Sequence, residues 1–434
     1  MKLLLVAPSC DGTDVGEAWS AHQWVSRLGK RHQVTLLTTR RKGRRAPSEQ
    51  LPGVRVIEWD DLELPPKWER VSAMLKPGYA LFHRRASRWI DAARRAGERF
   101  ELAHQLTPIA LRYPSPLAGS GLPYVLGPLA GSVEATAAFD EELRGSAWFV
   151  RLRALDRARL RFDPWLRASY RNASLVLGVA PYVDKLLAPI GVRRIEFASE
   201  TGVVELPPER PPCIAPRGQC EFLYVGRVVR NKGVVFAIRA LARLRDMPGT
   251  RLTIVGAGDD LERCRAEALR LGLEARVRFL GRLPRETVEE QYRNANAFLF
   301  PSLREPSGNV VFESMRHGLP VIACASGGPG HVVVHGESGL LVDARTPESF
   351  VEELAHAMRQ VASSPNLRLA LGAGARARVA SLALWDRKID WMCALYEQVT
   401  RSEAVARGEG VSSRDGEDRP GHSRAFERVA RNLH

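Results

Sequence analysis

The sequence predicts an α/β protein made of two Rossmann-like domains. Three observations carry that expectation. Short apolar segments closing in glycine alternate with segments of helical periodicity in both halves of the chain, the pattern of a parallel sheet wrapped by helices. The length of 434 residues is too great for one hydrophobic core and suits two domains of about 200 residues with a tail. The alternation breaks near Glu200-Thr-Gly-Val203, and the proline-rich stretch 207–216 reads as a connector. The expected partition is 1–202, 203–384, an amphipathic helix over 385–400 and a charged, disordered tail over 401–434.

In the first half the apolar strand 3–7 leads into a loop, 11–17, whose glycines, including Gly16, suggest close backbone approach to a ligand. A helix carrying Trp19 and Trp24 follows, and then strands over 34–38, 54–57, 102–104, 124–126 and 174–177. In the second half, strands are expected over 221–225, 251–255, 277–281, 297–302 and 320–324, several of them closing in Gly226, Gly256, Gly281 and Gly327. In a parallel sheet these carboxyl ends lie on one edge, where ligands bind.

The most informative junction is Glu305-Pro-Ser-Gly-Asn-Val-Val-Phe-Glu313. Asn309 reads as the cap of a helix running to about His317. Backbone N–H groups of Ser307, Gly308, Asn309 and Val310 would stand free at its start, where the dipole favours an anion such as a diphosphate. Glu305 precedes the anion site and Glu313 lies one turn inside the helix. Carboxylates accept hydrogen bonds from hydroxyls, which places one for a transferred sugar and the other for a nucleotide ribose. Alone, the pair is weak evidence in a chain with 49 acidic residues, where a solvated loop acid and a helix-start acid are ordinary. Upstream, Arg227 follows Gly226, and Asn231-Lys232-Gly233 opens a helix with Val235, Ile238, Leu241 and Leu244 on one face. Two cations, Arg227 and Lys232, thus meet at a strand-to-helix junction. Gly256 and Gly258 by themselves lack the third glycine of a dinucleotide fingerprint.

In these elements the chain resembles the family 4 glycosyltransferases, which are retaining enzymes of the GT-B fold. The resemblance covers residues 1 to 400 in rough extent and rests on Val225-Gly226-Arg227, Asn231-Lys232-Gly233, Val255-Gly256-Ala-Gly258, Gly281-Arg282, Glu305 through Glu313, Gly318-Leu-Pro-Val, Gly327-Gly328-Pro329 and Gly336-Glu-Ser-Gly339-Leu-Leu-Val342. It implies two Rossmann-like domains facing each other across a deep cleft, with the helix over 385–400 packing back on the first. Arg227 and Lys232 would hold the donor diphosphate, Glu313 the ribose hydroxyls and Glu305 the donor sugar. Gly16, Gly256, Gly281, Leu283, Ser307, Gly308, Asn309 and Val310 would complete the donor site. The co-substrate is then a nucleoside diphosphate sugar and the acceptor a hydroxyl of a glycan, a lipid-linked glycan or a small molecule. No cofactor and no metal are expected, because cationic side chains neutralise the leaving group.

Three departures from the family pattern touch the cleft. The strand that often ends in a histidine near the reacting carbon here ends in Gly127-Pro128. His104 is an alternative cleft histidine and joins Arg227, Lys232 and Glu305 as a catalytic candidate, with a structural role equally open. The frequent glutamate after the double glycine is replaced by His331, and the familiar asparagine-glycine crossing is Thr201-Gly202.

The net charge of +15 is uneven: residues 1–200 hold 31 Lys and Arg against 21 Asp and Glu. Over 79–100, Phe82, Ala86, Trp89, Ala93 and Ala96 can line one helix face, with Arg84, Arg88, Arg95 and Arg99 on another. A second segment spaces Trp148, Leu152, Leu155 and Phe162 among arginines. Such helices suit either an anionic membrane surface or ordinary core packing with a solvated basic face. The six cysteines lack metal-ligand spacing and read as reduced thiols. The opening apolar run is too short for a signal peptide, so a cytoplasmic protein, peripheral at most at the inner face of a membrane, is expected. A sugar-nucleotide epimerase of the same fold and a basic nucleic-acid-binding protein are the competing readings, although no nucleic-acid motif accompanies the charge.

Overall fold

The computed structural model describes residues 1–62, 76–144, 154–208 and 218–408. Two parallel sheets organise them. The first contains β1 (Lys2–Ser9), β2 (Gln33–Arg40), β3 (Arg55–Asp60), β4 (Leu102–Gln105), β5 (Tyr124–Leu129), β6 (Leu175–Gly178) and β7 (Ile195–Phe197), in the order β3-β2-β1-β4-β5-β6-β7. The second contains β8 (Cys220–Val225), β9 (Thr250–Val255), β10 (Val277–Gly281), β11 (Ala297–Phe300), β12 (Val321–Cys324) and β13 (Gly339–Val342), in the order β10-β9-β8-β11-β12-β13. Strands such as β1 and β11 are apolar on both faces because helices cover both, and Leu3 to Ala7 and Ala297 to Phe300 are buried. Chain order reverses between β1 and β4 in one sheet and between β8 and β11 in the other, which opens a crevice at each of those points.

Helix α1 (Glu17–Leu28) buries Ala18, Ala21, Trp24, Val25 and Leu28. Helix α2 (Tyr79–Arg95) buries Phe82, Ala86, Ile90 and Ala93 and exposes Arg84, Arg88 and Arg95. Ala96, expected on its apolar face, is an exposed C-cap, and Ile90 takes its place because the true helical stripe passes through it. Helix α3 (Ala154–Phe162) is followed by α4 (Pro164–Arg171), whose first amides, on Trp165 and Leu166, donate to the Asp163 carboxylate. Trp148 and Leu152 lie outside the described residues, as do most of the connector (209–217) and the tail beyond Gly408.

In the second half, α5 (Val234–Ala242), α6 (Leu261–Arg270), α7 (Asn309–Arg316), α8 (Pro347–Ser363) and α9 (Pro365–Leu382) cover the sheet. The last helix among the described residues, α10 (Trp385–Ala406), runs beyond the expected 385–400. Its apolar face, Trp385, Ile389, Met392, Leu395, Tyr396 and Val399, shares a core with Trp24, Leu102 and Val125 of the first domain. The two passages between domains lie side by side. Val203 N–H donates to the Ala383 carbonyl at 2.8 Å, and Trp385 N–H returns a bond to the Val203 carbonyl at 3.1 Å. Gly202 is required there, since a Cβ would lie 2.6 Å from the Ala383 carbonyl oxygen.

A third link was not legible beforehand. After β5 the segment 131–144 leaves the first sheet, and Phe139 and Leu143 join the core of the second domain. The Phe139 ring meets those of Phe236 and Phe350 edge-on, with centroids 5.5 and 6.0 Å away. Thr136 donates to the Ala344 carbonyl, and Glu142 pairs with Arg239 and Arg263.

Candidate functional site

Loops at the carboxyl ends of β8 and β11 meet at the reversal point of the second sheet. The β8 loop ends in a turn, Arg230–Lys232, closed by Gly233 at φ 67°. A Cβ on Gly233 would sit 2.1 Å from the Pro301 carbonyl oxygen, so only glycine lets this turn rest on the end of β11. That contact delivers Lys232 to Glu305, with which it forms an ion pair, and the ammonium also lies over the Phe300 ring. Arg227 projects from the same loop into solvent and forms no ion pair among the described residues.

Helix α7 begins differently from the expectation. Gly308, at φ 77°, is the N-cap, and Asn309 is the first helical residue. Asn309 already lies within the helix and so is not its cap, and its side-chain amide is spent elsewhere: Nδ2 donates to Glu200 at 3.0 Å. The amides at the helix start are not all free either. Gly308 N–H donates to Glu305 Oε1 at 3.1 Å, so this carboxylate faces the positive end of the helix and the Lys232 ammonium together. Gly327 and Gly328 brace the loop from β12. Cβ atoms there would come within 2.1 Å of the Glu305 carbonyl oxygen and 2.5 Å of Ser307 backbone atoms.

Lys232, Glu305, Gly308 and Asn309 are thus joined in one network, with Ser307 buried and Val310 half-buried beside them. Glu313 lies one turn along α7, where its carboxylate accepts a bond from Tyr292 Oη at 3.2 Å; burial pushes its pKa up, with Tyr292 and Arg316 opposing. Gly281, at φ 67°, ends β10, and Leu283, packed on the core edge, follows it, two strands from β8. Gly16, at φ 64°, is the N-cap of α1 at the reversal point of the first sheet. Gly256 has a packing reason that the sequence did not disclose. Its Cβ would lie 1.8 Å from the Gly226 carbonyl oxygen, so the glycine serves the contact between two strand-end loops.

His104 corrects the expectation of a cleft histidine. It is 1% exposed, with Nδ1 hydrogen-bonded to Tyr396 Oη at 2.5 Å and Nε2 to the Gly127 carbonyl at 2.7 Å. A carbonyl only accepts, so Nε2 carries the proton and Nδ1 receives the tyrosine hydroxyl. Both nitrogens are committed to joining β4, β5 and α10, and burial holds the pKa down at about 4. His331 is likewise drawn down to about 4 by burial, with its ring against Phe197.

Sequence reasoning missed Glu200, which reaches the site from the crossing between domains. The available signal was an acid standing among uncharged residues in Phe197-Ala-Ser-Glu200-Thr-Gly-Val-Val204. Among the described residues, no helix is long and apolar enough to cross a membrane.

The sequence profile described as Glycosyl transferases group 1 matches residues 210–378, the stretch that holds every element of this network except Glu200. The lipopolysaccharide core biosynthesis glycosyltransferase LpsD of Rhizobium meliloti is 31% identical over 258 residues, covering 57% of this chain and 72% of that protein. A D-inositol 3-phosphate glycosyltransferase of Corynebacterium jeikeium is 34% identical over 194 residues, covering 43% of this chain and 45% of that protein. Against that relative and its Acidothermus cellulolyticus counterpart the chain spans about half of their length. Sucrose-phosphate synthase from Thermosynechococcus elongatus superposes with a TM-score of 0.62 at 20% identity, over 92% of this chain and 99% of that one. HepE of Anabaena, solved in complex with UDP, superposes with a TM-score of 0.60 at 18% identity, over 93% of this chain and 100% of that one. At such identities the superpositions establish the two-sheet GT-B fold. The LpsD alignment extends the match over most of a relative's length, and the chain therefore belongs to the group 1 glycosyltransferases.

Proposed function

We propose that the protein is a retaining, family 4 glycosyltransferase that moves a hexose-type sugar from a nucleoside diphosphate to a hydroxyl of a glycan, a lipid-linked glycan or a small molecule. One observation carries the reading: Lys232, Glu305 and the start of α7 converge at the reversal point between β8 and β11. Breaking the anomeric C–O bond leaves its electron pair on the diphosphate. In this reading Lys232, Arg227 and the α7 amides would stabilise that charge, so no divalent ion is needed in the proposal. The acceptor oxygen bonds to the anomeric carbon on the face the diphosphate leaves, and its proton passes to a departing phosphate oxygen. A diphosphate would compete with Glu305 for Lys232 and for Gly308 N–H, freeing the Glu305 carboxylate to accept hydrogen bonds from the sugar. Glu313 would take the ribose hydroxyls.

The UDP in the HepE structure supports a nucleoside diphosphate donor, and LpsD, a lipopolysaccharide core enzyme, supports a lipid-linked glycan as acceptor. Contact with an anionic membrane surface, peripheral and at the cytoplasmic face, belongs to the same reading. Its support is the exposed Arg84, Arg88 and Arg95 on α2, with Arg99 beyond it, and the exposed Phe162 and Trp165 at the α3–α4 junction. The deciding experiment is calorimetry of the intact protein with UDP, GDP and ADP and their sugars. One of the diphosphates should bind, and Arg227→Ala and Lys232→Ala should each cut turnover with the matching sugar nucleotide by orders of magnitude. No binding of any, or full turnover in both variants, would reject the reading.

A further inference from the structure

Glu200 is 8% exposed and lies in the passage between domains. Its Oε1 accepts the bond from Asn309 Nδ2, while Oε2 and Asn309 Oδ1 are both buried without a hydrogen-bonded partner among the described residues. Charged and titratable groups reach it from every side. From α1 comes Glu17, which is tied to Lys76 at 2.6 Å and to the Ile109 amide at 3.1 Å. From the β11 loop come the Ser307 hydroxyl and Glu305, the latter paired with Lys232. From the far side comes Tyr182, whose hydroxyl accepts the Gly131 amide. From α10 comes Lys388, whose three N–H groups meet the Ser199 carbonyl, the Ser199 hydroxyl and the Thr201 carbonyl at 2.5, 2.8 and 2.6 Å. Its ammonium also lies over the Trp24 and Trp385 rings, so its donors are spent on the crossing and none reaches the Glu200 carboxyl as an ion pair.

We propose that Glu200 is a positioning residue of the donor site: it acts through Asn309 to orient the first turn of α7 under the diphosphate, and it does so as the neutral acid. The inference rests on reading the start of α7 as the donor site. An ionised Glu200 would be buried facing Glu17, Glu305 and the arriving diphosphate, which outweigh the help of the Ser307 hydroxyl and the Lys388 charge. The acid has a proton to give, and the Oδ1 of the amide already bonded to it is a buried acceptor in need of one. Such an acid–amide pair locks the Asn309 rotamer, and with it the turn that carries the Gly308 and Asn309 amides. Burial, opposed by the Asn309 bond and reinforced by Glu17, raises the carboxyl to about 7. A bound diphosphate adds negative charge nearby, so binding of the donor and retention of the proton support each other.

The test is calorimetry with whichever of UDP, GDP and ADP binds, between about pH 7 and pH 9, where the terminal phosphate is already ionised. In the wild type the affinity should fall with rising pH, by up to about tenfold per unit, because one proton is linked to binding. Glu200→Gln supplies a permanent donor of the same shape. It should flatten the profile and hold affinity within about threefold of the wild-type value at pH 7. Glu200→Ala and Asn309→Ala should each weaken binding at every pH, and combining them should add little, because they remove one unit. A structural role alone would not give a pH slope that the isosteric amide abolishes. An equal slope in wild type and Glu200→Gln, a flat wild-type profile, or additive losses in the double variant would overturn the proposal while leaving the donor site intact. A wild type that binds none of the three diphosphates would overturn both.

Discussion

Phe139→Ala should detach the segment 131–144 from the second domain. The ring is fully buried between Phe236 and Phe350. Burying a phenylalanine side chain contributes about 1.5–3 kcal/mol, and each edge-to-face pair adds about 0.5–1.5 kcal/mol. Truncation in a closed core costs about 3–5 kcal/mol, but here the segment can lift away, so the lower end, about 3 kcal/mol, is the expected loss. That energy holds a surface segment down, so it should appear as local opening rather than as global unfolding. The readout is amide exchange at Phe139 and Leu143, whose N–H groups donate to the Thr136 and Phe139 carbonyls at 3.0 and 2.9 Å. Their exchange should accelerate by about a hundredfold, as 3 kcal/mol requires, while β8 and β11 remain protected. Phe139→Leu should give a smaller increase. Unchanged exchange in Phe139→Ala would show that the aromatic packing does not hold the segment.

Glu313→Ala should weaken nucleoside diphosphate binding measurably in calorimetry, whereas Glu305→Ala should chiefly impair sugar transfer; unchanged affinity in the Glu313 variant would reject the ribose role. The first-formed glycoside should keep the donor's anomeric configuration in proton NMR, and excess chelator should leave turnover intact. An inverted product would contradict the front-face mechanism, and inhibition by chelator would contradict only its metal-free part. Intact protein should co-sediment with anionic vesicles at low salt and be released as salt screens the charge, and reversing Arg84, Arg88, Arg95 and Arg99 should lower that binding; no association at all would favour a soluble acceptor. Because His104 is held neutral down to about pH 4 while the unfolded imidazole titrates near 6.5, the unfolded state binds more protons between these values. Stability should therefore fall as pH drops through that window, by up to about 3 kcal/mol from this residue, and His104→Gln should flatten the dependence of the urea midpoint on pH.

The architecture was legible because its signals are local. A strand buried on both faces must be apolar throughout, and a helix covering it must carry a stripe of period 3.6, so β1, β8, β11, α1 and α5 announce themselves in one dimension. The glycine-bearing junctions were legible for a related reason: a backbone at positive φ, or one pressed against another backbone, admits little else. Gly233 and Gly308 fit that expectation in conformation. Gly256 shows a cause the sequence hides, since Gly226 at the end of the neighbouring strand presses against it and would itself demand a glycine there.

By itself the sequence determined the two-sheet α/β order and the local junction that sets Glu305 and Glu313 around a helix start. Tertiary structure decided which groups those residues meet. Lys232 reaches Glu305 across 73 positions, Asn309 reaches Glu200 across 109, and His104 reaches Tyr396 across 292. Periodicity carries no information over such separations, because a polar residue's partner is set by how the two domains and the returning helix pack. Hence a histidine that looked available for the cleft is consumed in joining α10 to the first sheet. An acid that looked like part of a linker stands at the start of α7, because burial and proximity, the two quantities that decide a polar group's chemistry, exist only in the folded chain.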